Sequence, residues 1–86
     1  MPDKDQKIKV LRTQTGVRIE TRMLKVLKAL AEYYNLSLGD LLEGIVLHAF
    51  EGASPFQGED LGKIAALKEV YGMDYDAKSS HKMIEG

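Results

Sequence analysis

The spacing of apolar residues changes period near residue 20. From Val10 to Ile19 the pattern repeats every two residues. Leu11, Thr13, Thr15, Val17 and Ile19 fall on one side, and Val10, Arg12, Gln14, Gly16 and Arg18 on the other. This is the rhythm of a β-strand, whose side chains alternate across its plane. The first set reads as the inner face, because Val17 and Ile19 lead straight into the next element. The second set is polar and cationic at its centre. Beyond residue 20 the period becomes helical. Met23, Leu24, Leu27, Leu30, Ala31 and Tyr34 share one arc of a helix predicted over Arg22 to Asn35, opposite Arg22, Lys25, Lys28 and Glu32. Glu20 or Thr21 caps its start, and Asn35 suits the left-handed position that closes a helix.

A second helix is predicted over Leu38 to Glu51, with Ser37 as its cap and Asp40 completing an acidic variant of the capping box. Gly52 stops it. Leu38, Leu41, Leu42, Ile45, Val46, Ala49 and Phe50 form a wide apolar face, more than one short neighbouring helix can cover. The turn residues of Ala53–Gly58 mark a linker. A weaker third helix follows over Glu59 to Tyr71, with Leu61, Ile64, Ala65, Leu67 and Val70 apolar, Gly62 in its first turn and Gly72 as its stop. Leu47 points away from the apolar face of the second helix, and the third helix is expected to cover it. From Met73 onward the chain is polar and expected to be loose. The organisation is therefore a flexible basic N-terminal arm (1–9), a compact unit (10–52), and a linker, accessory helix and polar tail (53–86).

Two features call for a second subunit. A lone strand leaves its backbone donors and acceptors unpaired, and the second helix has surplus apolar surface. The expected fold is mostly α: an N-terminal β-strand that pairs across an intertwined homodimer, two core helices and an accessory C-terminal helix.

Composition narrows the function. With 86 residues, the chain is near the lower limit for a self-sufficient core. It has no cysteine, which excludes disulfides and thiolate zinc sites. No apolar stretch is long enough to span a membrane, and Met1–Asp5 carries no secretory signal, so a cytoplasmic location is expected. The net charge of −1 hides an asymmetry: residues 1–28 hold eight Lys and Arg against three acids, and the remainder is acidic. A basic end on an acidic body suits a polyanion contacted by the N-terminal part.

Catalysis finds little support. His48 and His81 are far apart in the chain, and His48 reads as a partly buried structural residue. Asp74 and Asp76 lack the further ligands and glycine spacing of a calcium loop. Ser79, Ser80 and His81 share a stretch too loose to hold a nucleophile against a base. No glycine-rich phosphate loop is present, and no metal or cofactor is implied.

Nucleic-acid binding has two geometries to offer. A helix-turn-helix would send the second helix into the major groove, but this helix has no Lys or Arg and carries Asp40, Glu43 and Glu51. Phosphates would repel it. A two-stranded antiparallel ribbon also fits the major groove, and Arg12, Gln14 and Arg18 are the residue types that read base edges. In Gln14–Ile19, Met23–Leu24…Leu27…Leu30–Ala31 and Asn35–Asp40…Leu42…Ile45–Val46…Phe50, the chain resembles the ribbon-helix-helix family of Arc/MetJ/CopG-type repressors over residues 10–52.

The resemblance implies an intertwined homodimer, with a tetramer on DNA as a further option, whose ribbon enters the major groove. Gln14, Gly16 and Arg18 take the three outward base-reading positions, with Arg12 beside them. Ser37, Leu38 and Gly39, at the start of the second helix, would hold a phosphate, with Arg22 and Lys25 as further phosphate contacts. The sequence departs from the family at Gly16, where a reading side chain is common, at Thr13 and Thr15, which replace larger inner residues, and at Asp40, which brings negative charge near the phosphate. The function implied is a sequence-specific double-stranded DNA-binding regulator, a repressor on a palindromic operator. The alternative is a dimeric protein-interaction module, such as an antitoxin or accessory subunit, whose residues 53–86 hold a protein partner.

Overall fold

The computed structural model describes residues 7–86 and contains three α-helices: α1 (Thr21–Tyr33), α2 (Leu38–Phe50) and α3 (Glu59–Val70). A short 3₁₀ turn, Ala77–Ser79, follows in the C-terminal segment. The first part of the basic arm, residues 1–6, lies outside the described residues.

The helix ends follow from local chemistry. Glu20 caps α1, its carboxylate accepting from the amides of Arg22 and Met23 at 3.0 and 3.2 Å. Ser37 caps α2, its hydroxyl oxygen accepting from the Asp40 amide at 3.1 Å. All three helices close in the same way. After α1 the chain turns through Asn35 (φ 57°), with Leu36 N donating to Ala31 O at 2.9 Å. After α2 it turns through Gly52 (φ 69°), and Ala53 N reaches His48 O at 2.9 Å. Gly72 repeats the turn after α3, where Met73 N donates to Lys68 O at 2.8 Å. Each is a left-handed cap that satisfies carbonyls the helix leaves open.

Packing centres on α1, which touches both other helices, while α2 and α3 do not meet. Leu30 and Ala31 of α1 and Leu41 of α2 form the buried cluster. Leu27, Tyr34, Ile45, Phe56, Ile64 and Leu67 pack against it. Val26 is also buried. The Tyr34 hydroxyl donates to Asp60 in the first turn of α3, and this bond pushes the phenol up to about 12. Lys63 of α3 sits 5.0 Å from the ring centroid of Tyr33. Through these contacts α3 is part of the core, not the accessory element the sequence predicts.

The predicted N-terminal strand is absent. Among the described residues there is no β-strand, so neither a ribbon nor the ribbon-helix-helix architecture is present. Lys7–Ile19 is irregular and, up to Arg18, exposed. Alternation reports that a segment could present two faces, but a strand exists only through a ladder of hydrogen bonds to another strand. The other described residues form helices, turns and irregular chain and supply no such partner.

Three smaller expectations also change. Leu47 is 64% exposed, because α3 packs on α1 and never reaches α2. His48 is exposed and not partly buried, with Nδ1 2.7 Å from Gly44 O one turn back. The segment after Met73 is not loose at its start: Tyr75 is half-buried, and its hydroxyl donates to Glu20.

Two outcomes follow. Leu30→Ala removes the most buried side chain and should cost about 2–5 kcal/mol in chemical denaturation, enough to unfold much of a chain this small. Glu20 is held at about 2, below its ordinary 4.5, by the Tyr75 hydroxyl first and then by the Arg22 amide. Because folding lowers this pKa, its contribution is full above the unfolded value and is lost as pH falls from 4.5 toward about 2. Melting temperature should therefore fall through that window, and Glu20→Gln should flatten the fall while lowering the plateau above it.

Candidate functional site

The basic segment runs along one side of the molecule from α2 to the start of α1. Its first part lies beside α2, where Ile8, Val10 and Leu11 line a groove with Leu42, Val46 and Leu47. Leu11–Thr15 then passes the N-terminus of α2, sharing a hollow with Ser37, Gly39 and Asp40. Val17–Ile19 ends against Met83–Gly86 of the C-terminal segment. No backbone–backbone hydrogen bond ties residues 7–19 to any other described residue. The segment is held by side chains alone.

The base-reading candidates differ in their surroundings. Arg12 makes a two-pronged pair with Glu43 of α2, Nε to Oε2 at 3.0 Å and Nη2 to Oε1 at 2.9 Å. This raises the Arg12 guanidinium and lowers the Glu43 carboxyl, each chiefly through that hydrogen bond. Arg12 is thus spent as a strut between the segment and α2. Arg18 pairs with Glu85 at 2.9 Å, and both side chains are more than three-quarters exposed. Gln14 and Gly16 are exposed, and a Cβ on Gly16 would meet nothing within 4 Å.

The phosphate candidates divide as well. Ser37 is committed as the α2 cap. Leu38 and Gly39 occupy the first turn of α2, where geometry leaves backbone amides without intrahelical partners. A Cβ on Gly39 would touch only the Ser37 hydroxyl, at 3.9 Å. Asp40 and Glu43 stand in the same hollow, so the local field at this helix end is acidic apart from Arg12. Lys25 is exposed on α1. Arg22 is engaged on all sides: Nε with Glu20 at 3.3 Å, and Nη1 with the Gly72 carbonyl at 2.8 Å and with Asp74 at 3.3 Å. The Tyr75 ring lies 5.4 Å from its Cζ. Burial, followed by the bond to Glu20, pushes the Tyr75 phenol up to about 12.

The structure thus gathers Arg12, Gly39 and Ser37 at one hollow, and sets Arg18 and Arg22 apart at the other end of the segment. Sequence reasoning considered Glu43 and Asp74 in other roles and did not single out Glu85, and it missed that these acids hold the three arginines. The only signal for them was the acidic balance of residues 29–86. Among the described residues no cluster of His, Asp and Glu could hold a metal ion, and no helix is long and apolar enough to cross a membrane.

Arg12→Ala should raise the Glu43 carboxyl back toward 4.5 without moving Glu20, as followed by carboxyl-carbon NMR titration.

Comparison of the chain with protein-family models, with curated proteins and with solved structures finds no match.

Proposed function

We propose that this chain is a sequence-specific double-stranded DNA-binding protein, a cytoplasmic transcriptional repressor acting as a homodimer. The observation that carries the reading is the exposed basic segment: Lys7, Lys9, Arg12, Gln14 and Arg18 stand on irregular chain that no secondary structure occupies. Such a segment can follow a DNA groove, with Arg18 and Gln14 donating to base edges and Gly16 permitting close approach of the backbone. Arg12 fixes the segment to α2, and the first-turn amides of Leu38 and Gly39 meet a phosphate. Lys7, Lys9 and Lys25 add charge attraction.

Dimerisation rests on the apolar surface that the monomer leaves uncovered. Phe50 is 79% exposed, and Val46 and Leu47 of α2 lie open beside Val10 and Leu11. A contiguous apolar patch of this kind marks an interaction surface. Twofold pairing there would present two basic segments to a palindromic operator.

The alternative, a protein-interaction module, is favoured by Leu61 and Val70, which α3 leaves exposed. Against it, Ile64 and Leu67 of α3 pack on the core cluster, and Tyr75 is bonded to Glu20.

Selection from a random duplex pool at near-physiological salt should recover short half-sites arranged about a dyad. Arg18→Ala should then cost about 1–3 kcal/mol of discrimination at one base pair if its contact is bidentate. Recovery of no motif, with retention that fades as salt rises, would contradict the reading.

A further inference from the structure

We propose that Met83–Gly86 form a latch that pairs with Arg18 in the free protein and gives way when DNA is bound. The inference rests on the DNA-binding reading above and adds a regulatory contact to it.

The C-terminal segment is fixed at its base and weakly held at its end. At the base, Gly72 and Asp74 take Arg22, and the Tyr75 hydroxyl donates to Glu20 beneath the same guanidinium. Asp76 then caps the 3₁₀ turn through the Lys78 amide at 2.9 Å, and the chain reverses at His81 (φ 64°). This brings Met83 and Ile84 alongside Val17, Ile19 and Leu24. The end itself buries little, since Ile84 is 93% exposed. Among the described residues, the ion pair of Glu85 with Arg18 is its one charged contact to the basic segment.

The chemistry of that contact is the chemistry of DNA binding. A carboxylate 2.9 Å from Nη2 of Arg18 offsets the charge that a phosphate or a guanine edge would meet. Glu85 is thus an intramolecular competitor for the residue most suited to read a base. The base of the strap keeps the competitor close, so its effective concentration at Arg18 is high. An exposed pair is weak, so the competitor yields to DNA. Such a pair is worth at most about a fivefold change in an equilibrium. The latch is therefore a brake and not a block.

The test compares full-length protein, Glu85→Gln and a chain ending at Lys82, each also carrying Arg18→Ala, in fluorescence-anisotropy titrations of a labelled duplex. The latch predicts about two- to fivefold tighter binding for Glu85→Gln and for the shortened chain. The gain should vanish in the Arg18→Ala background, as a specific pairwise coupling requires. A gain that persists without Arg18 would reflect net charge alone and would overturn the latch. Equal binding by all forms with Arg18 intact would also overturn it, while leaving the DNA-binding reading standing. If neither full-length protein nor the shortened chain binds duplex DNA, that reading falls and the latch with it. A second readout needs no DNA: the Arg18 Nε–H resonance should shift in Glu85→Gln, and an unmoved resonance would overturn the contact itself.

Discussion

The molecule is organised by a shortage of interior. Only α1 touches both other helices, and the buried apolar side chains are Val26, Leu30, Ala31 and Leu41, with Leu30 alone fully buried among the described residues. Everything else is arranged at the edge of that cluster. Because α3 takes the flank of α1 through Ile64 and Leu67, it cannot also cover α2. The outer face of α2 is left with Val46, Leu47 and Phe50 exposed. Burial of apolar surface is the main source of folding free energy, so this exposed face of α2 contributes little to it.

Charge compensates where burial does not. Three arginines of the basic N-terminal part are each met by an acid from elsewhere in the chain: Arg12 by Glu43, Arg18 by Glu85 and Arg22 by Asp74. These pairs differ in kind. Arg12–Glu43 is two-pronged and sets where the segment meets α2. Arg22 is one part of a junction with Glu20, Tyr75 and the Gly72 carbonyl, which joins the start of α1 to the segment after α3. Arg18–Glu85 stands alone in solvent. Exposed pairs contribute little stability individually, so the last is easily exchanged for another anion. The gradient runs from the fixed Arg12 and Arg22 to the exchangeable Arg18.

The helices were legible in the sequence because their signals are local. Ser37, Asn35 and Gly52 act within a turn of themselves, and they end helices in the structure where their chemistry requires. The strand was not legible in the same way. The alternation of Val10–Ile19 is real, but pairing is a property of two segments, and the described residues hold no second one. The long-range junctions were equally hidden. Tyr75 lies 55 residues from Glu20, and Arg12 lies 31 from Glu43, with no periodicity to connect them. The role of α3 was obscured by Gly62 and by a diffuse apolar pattern, which made an integral helix look accessory. Of the candidate site, the residue types were readable; which arginines are already engaged was not.

The most direct test of the account is backbone-amide NMR of the full chain titrated with duplex DNA. If the basic segment is the contact, shifts should concentrate in residues 7–19 and at Leu38 and Gly39, and leave the exposed face of α3 around Leu61 and Val70 unmoved. Shifts confined to α3, or none at all at low salt, would contradict it.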